Sequence, residues 1–274
     1  MRRRFLLFTS LIIFAAPFVI GVILAIGAVP GQATLRFSLS LRTIRENLVP
    51  VLVGKEPKEA FLPSAIVSIQ ISLATSICSV LIAAPVALLI GTRFRKHLSK
   101  VAAFALGLRV LPIVTSIATF ESLQSFAGFS QSIALVIGIE TCGLLPMTIT
   151  MLAAGAWPDL ALGETILSLD GTMSTWERLK LRLHTIGPDL ALAAGATFML
   201  SWSDFIFPHF FIDDQYHKTV SQLLADTQGF LGTNWGALGA MVCLAILPPA
   251  CITVAAVILM RVRQMGANGG FESV

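Results

Sequence analysis

The sequence predicts an all-α membrane protein, a six-span helical bundle with both termini in the cytoplasm. Three observations predict it. Of 274 residues, 55% are hydrophobic and 12% charged, about half the charge of a soluble domain, and the mean hydropathy is +0.84. Apolar runs approaching or exceeding the roughly 20 residues needed to cross a bilayer recur along the chain. Lysine and arginine then sort unequally between the loops, as they do on the two sides of a membrane.

The elements follow in order, within one membrane domain covering residues 1–274. A first span, 5–28, follows Arg2, Arg3 and Arg4. No small-residue cleavage site interrupts it, so it reads as an uncleaved span and not a signal peptide. The stretch 30–63 is too long for a simple turn. Within 37–53, Leu41, Ile44 and Leu48 repeat at helical spacing and predict a short amphipathic helix. Spans 64–91, 101–123 and 131–155 come next, then a charged segment within the loop 156–187, a span at 188–211, an outer stretch at 213–235 carrying Asp213, Asp214, Lys218 and Asp226, and a last span at 237–260. Pro85, Pro112, Pro146, Pro248 and Pro249 fall within spans, which a bundle tolerates where neighbours satisfy the freed carbonyls. The alternation of a membrane β-barrel is absent.

With the N-terminus inside, the cytoplasmic side collects Arg2, Arg3, Arg4, Arg93, Arg95, Lys96, Lys100, Arg178, Lys180, Arg182, Arg261 and Arg263. The outside holds Arg36, Arg42, Arg45, Lys55, Lys58 and Lys218, mostly in the long first loop, where charge weighs less. The net charge of +4 is thus spread by membrane side and does not point to nucleic acid. Cys78, Cys142, Cys243 and Cys251 sit in apolar runs and read as buried small hydrophobes. No disulfide or metal spacing occurs, and no metal site is expected.

The most informative stretch is 164–188, where Glu164, Asp170, Glu177, Arg178, Lys180 and Arg182 gather between apolar runs. Ile166, Leu169, Met173 and Trp176 make one apolar stripe on a helix. Asp170 and Gly171 interrupt it; the glycine permits a sharp turn between two short helices, with Thr172 or Ser174 capping the second. Such a segment is either an ordinary interfacial loop or a surface offered to a soluble partner.

Charges inside spans need a reason, because each costs about 2.5–3.5 kcal/mol on insertion scales. Arg109 and Glu140 lie at about 12 and 16 Å from the cytoplasmic edge, at 1.5 Å per residue, and are expected to pair. The pair either staples adjacent spans or borders a translocation path. Asp204, beside Trp202 and Ser203, offers a hydroxyl-binding acid and an aromatic face, the groups that bind sugars; Asp204 pairing to a polar group of a partner chain is the equal alternative. Glu121 and Gln124 read as a wetted helix end, and His209 as an interfacial residue.

Several short motifs resemble those of ABC-importer permeases. Leu169-Asp170-Gly171, with Glu164 ahead and Pro188 behind, is similar to the cytoplasmic EAA loop of that family. Val110-Leu111-Pro112, Leu145-Pro146 and Trp157-Pro158-Asp159-Leu160 resemble its Met-Leu-Pro, Leu-Pro and Ile-Pro-Glu-Leu elements. Ser201-Trp202-Ser203-Asp204-Phe205 resembles Ser-Trp-Asn-Glu-Phe, and Gly232-Thr233-Asn234-Trp235-Gly236 resembles an element before the last span. The tail from Arg263 to Gly270 is a degraded version of the family's ending. In order and spacing these cover nearly 37–270 and are most similar to the carbohydrate-uptake branch, the second maltose-type and glycerol-phosphate-type permeases.

The resemblance implies a type I importer permease fold in the bacterial inner membrane. It implies that Glu164, Leu169, Asp170, Gly171, Thr172, Met173 and Trp176 form a coupling helix docking on an ATPase, and that Trp202, Ser203, Asp204, Arg109 and Glu140 border the solute path. It also implies a second permease, two ATPase subunits and an external binding protein as partners beside the lipid bilayer. This chain would bind no cofactor: it lacks a Gly-x-x-x-x-Gly-Lys-Ser/Thr loop, so ATP and Mg would belong to the ATPase, and the chain would be a transport subunit and not an enzyme. Thr165-Ile166-Leu167 replaces the usual Glu-Ala-Ala, and His184 stands where the family often has proline. The solute would be a sugar, with a polyamine or phosphate ester as the alternative. A secondary transporter using Asp204, Glu140 and Arg109 for ion coupling is the rival, although paired broken helices, its usual mark, are not evident.

Overall fold

The computed structural model describes residues 19–28, 36–38, 40–53, 60–93, 132–155, 175–212, 218–226 and 235–269. They are helical almost throughout: α1 (residues 19–27), α2 (Leu41–Val53), α3 (Phe61–Arg93), α4 (Ile133–Gly155), α5 (Thr175–Trp202), α6 (Ile206–Phe211), α7 (Val220–Asp226) and α8 (Trp235–Gly269). Among the described residues there is no strand, only an isolated antiparallel bridge between Ala28 and Phe37.

Three helices are long and apolar enough to cross a membrane, over Phe61–Ala87, Ile133–Ala153 and Trp235–Ala255. They answer to the spans expected at 64–91, 131–155 and 237–260, and they run through Pro85, Pro146 and the Pro248-Pro249 pair. The span expected at 101–123 lies outside the described residues, as does most of the first.

Polarity along α3 is inverted relative to a soluble helix. Ser64, Ser68, Ser72, Thr75, Ser76 and Ser79 are buried, while Leu62, Ile66, Ile69, Leu73, Ile77 and Leu81 are exposed. Lipid tails are as apolar as leucine, so in a bilayer the small polar residues belong between helices and the aliphatic ones outside. The same physics corrects the cysteines: Cys78, Cys142 and Cys251 are exposed and Cys243 partly so, because an outward apolar position is favourable where the surroundings are lipid.

The chain divides into two compact units, one comprising Met1–Gln70 and Ile212–Cys251, the other Ile71–Phe211 and Ile252–Val274. In the first, α1 and α8 cross at glycines. A β-carbon placed on Gly239 would lie 2.5 Å from Leu24 Cβ and 2.7 Å from the Gly21 carbonyl oxygen; only glycine permits that approach. The C-terminal end of α1 is closed by neighbours: Ser38 N donates to Gly27 O at 2.7 Å, and Asn47 Nδ2 donates to Ala25 O at 3.0 Å and Ala28 O at 2.9 Å. These bonds satisfy carbonyls that a helix end leaves free.

Asn47 lies on α2, which does form where the amphipathic helix was expected, but with a different inner face. Thr43, Asn47 and Val51 are buried, whereas Leu41 is 86% exposed. The need to cap α1 outweighs the burial of the leucine stripe. Ser40 caps α2 by accepting from Thr43 N at 3.1 Å. In the stretch 213–235, Thr219 and Gln222 form a reciprocal capping box on α7, at 3.4 Å from Gln222 N to Thr219 Oγ1 and 2.7 Å from Thr219 N to Gln222 Oε1. Val220 N donates to Ser68 Oγ at 2.8 Å. Replacing Thr219 with alanine is expected to cost about 1 kcal/mol in an unfolding titration. Breaking the exposed Lys218–Asp226 ion pair should cost well under that, about 0–1 kcal/mol.

In the second unit α3, α4 and α5 meet around Ala83, Ala87, Leu152, Ala153 and Ala193. Hydroxyls tie the helices together: Ser76 Oγ donates to Ala194 O at 2.7 Å, and Thr148 and Thr197 share a hydrogen bond at 3.1 Å.

Two boundaries differ from expectation. The segment 175–187, read as part of a cytoplasmic loop with a short helix, continues past Pro188 as one helix, α5, through the stretch expected as the fifth span. Leu179, Lys180, Leu181, Arg182 and Leu183 are good helix formers, and they carry the helix through. The fifth span, expected to be continuous over 188–211, is instead broken at 203–205.

Candidate functional site at the break between α5 and α6

The break arises from side chains that compete with the helix for backbone groups. Ser203 Oγ donates to Leu200 O at 3.1 Å, and Asp204 Oδ1 accepts from Ile206 N at 2.9 Å, capping α6. Ser203 N and Asp204 N turn back to Met199 O and Ser201 O, each at 3.1 Å. From Ile186, where α5 side chains are first described, to Trp202 is 17 residues, or about 25 Å.

In the last turn before the break, Ser201 Oγ donates to Glu140 Oε2 on α4. Thr75 Oγ1 on α3 donates to the same oxygen at 3.3 Å. Glu140 is 1% exposed, and its other oxygen, Oε1, has no hydrogen-bond partner among the described residues. The hydroxyls of Ser72 and Ser79, one turn either side of Thr75, are likewise buried without one. Asp204 is close enough to Glu140 to act on it electrostatically. Three helices and the break therefore converge on one buried carboxyl group, with α4 packed against both α5 and α6.

Among the residues expected to line a solute path, Glu140, Ser203 and Asp204 belong to this region. Trp202 is buried, with its ring stacked on Phe198 at 5.9 Å between centroids, so that face is not presented to a ligand. Asp204 is engaged as a cap. His209 is exposed and stacks on Phe205 at 4.9 Å. Arg109 lies outside the described residues, and with it the expected Arg109–Glu140 pair; so do Glu121 and Gln124. Of the coupling residues, Glu164, Leu169, Asp170, Gly171, Thr172 and Met173 lie outside them too, while Trp176 stands in the first turn of α5.

Thr75 is the residue that sequence reasoning missed. Its signal was the recurrence of Ser64, Ser68, Ser72, Thr75, Ser76 and Ser79 at three- and four-residue intervals, one helical stripe in an otherwise aliphatic run. Among the described residues, no group of three His, Cys, Asp or Glu side chains could hold a metal ion. No protein-family model matches the chain, and no curated protein matches it.

Proposed function

We propose that the chain is the permease subunit of an ATP-driven ABC importer for a sugar or sugar-like solute, working with a second permease, two ATPase subunits and an external binding protein. The observation that supports this most is α5. It is 28 residues long, about 42 Å. One continuous helix joins Trp176, at the end of the segment that resembles a coupling loop, to Ser201 at the buried carboxyl. A displacement of that segment by a motor would move the break directly, the lever that alternating access requires. The motif resemblance supplies the family and the sugar.

Cysteines placed singly at positions 168–176 test the docking. They are expected to crosslink to a co-isolated ATPase in an ATP-dependent manner. Uniform failure in a functional complex would refute the proposal. One observation favours the rival, since broken helices are an element that ion-coupled secondary transporters also use, although there they come in pairs. Gradient-driven uptake by the purified chain alone would decide for that reading.

A further inference from the structure

We propose that Glu140 is a proton-binding site, held in the closed cluster as a neutral carboxylic acid whose hydrogen bond to Ser201 makes and breaks with the end of α5. A carboxylate taken out of water costs several kcal/mol unless a cation or several donors replace its hydration. The described surroundings supply two neutral hydroxyls, both to Oε2. Oε1 has neither donor nor cation among the described residues.

Over Phe61–Ala87, α3 carries no acid and no basic residue and faces Glu140 with hydroxyls. Between residues 186 and 202, α5 carries only Asp189, about three turns from Ser201. α6 contributes His209, which is exposed, and the break contributes Asp204, whose charge opposes a second one nearby. Among the described residues no side-chain cation stands beside Glu140. A buried acid escapes the cost of burial by keeping its proton. The double acceptor Oε2 is then the carbonyl oxygen, and Oε1 carries the hydrogen.

Occupancy is linked to conformation because Ser201 stands in the last turn of α5, just before the break. Movement of that turn removes one of the two hydrogen bonds and opens the acid to exchange. The state of the acid does not depend on whether ATP or a gradient drives the transport, so either proposal can fail alone.

Infrared difference spectroscopy on the purified full chain at neutral pH tests it, comparing the native protein with Glu140→Gln. The expected result is a protonated-carboxyl carbonyl band, shifted in heavy water and absent from the variant. Glutamine mimics the neutral acid, so the melting temperature of the variant should stay within about 2 °C of the native value. Ser201→Ala keeps the acid and removes a hydrogen bond, and is expected to move the band to higher frequency; this arm stands even where the glutamine variant fails to fold. Absence of a Glu140-dependent band overturns the proposal. So does a drop of more than about 6 °C in Glu140→Gln that is reversed by adding Arg109→Gln, since that is the signature of a buried ion pair.

Discussion

Gly239→Leu is expected to cost about 3 kcal/mol or more in an unfolding titration in mixed micelles, the largest loss from any single substitution considered for this chain. The reason lies in which atoms would be struck. A β-carbon at 239 meets Ala25 N and Gly21 O, both at 2.7 Å, and these are main chain that cannot swing aside. The α1–α8 crossing must therefore widen, and the close contacts along it are lost together. Gly143 provides the control. Nothing lies within 4 Å of a β-carbon there, so Gly143→Ala should be neutral or stabilising by up to about 1 kcal/mol. Equal losses at both positions would mean that the crossing is not close-packed.

Asn47→Ala ranks second, at an expected 2–4 kcal/mol, estimated from about 1–3 kcal/mol for each buried acceptor left unpaired. Both Ala25 O and Ala28 O lose their donor. Gly236 completes the same joint, since a β-carbon there would lie 2.1 Å from Asn47 Oδ1. A free side chain would rotate away, but this one is pinned by its two hydrogen bonds. Gly236→Ala should therefore be costly in the native background and nearly harmless once Asn47 is alanine. This non-additivity, about 1 kcal/mol or more, is readable in a double-mutant cycle. Strict additivity would show that residues 47 and 236 do not press on each other.

Run length made the spans at 64–91, 131–155 and 237–260 legible, because the bilayer imposes a length that shows in the residues themselves. α2 was legible as a helix but its inner face was not. Leu41, Ile44 and Leu48 form the better stripe, yet Thr43, Asn47 and Val51 turn inward because the free carbonyls of a helix far away in sequence require Asn47. The fifth span failed differently. Hydropathy sees Ser203 and Asp204 as two tolerable polar residues in an apolar run, whereas their side chains take backbone partners and end the helix. At the site, Glu140 declared itself as an acid within a span. Its partner Thr75 did not, because a serine and threonine stripe reads as filler until an acid is placed opposite it.

A helix that stops beside a buried carboxyl is also a fixed electrostatic object. The C-terminal end of α5 carries the equivalent of roughly half a negative charge, and where little water penetrates that charge is weakly screened. It faces no lysine or arginine along α6 or along Phe61–Ala87 and Ile133–Ala153, and Asp204 follows directly after it. Among the described residues, the charges beside the break are thus negative even with Glu140 neutral. On the importer reading proposed above, a neutral sugar passing the break would only have its dipoles turned, whereas an anionic phosphate ester would be repelled there.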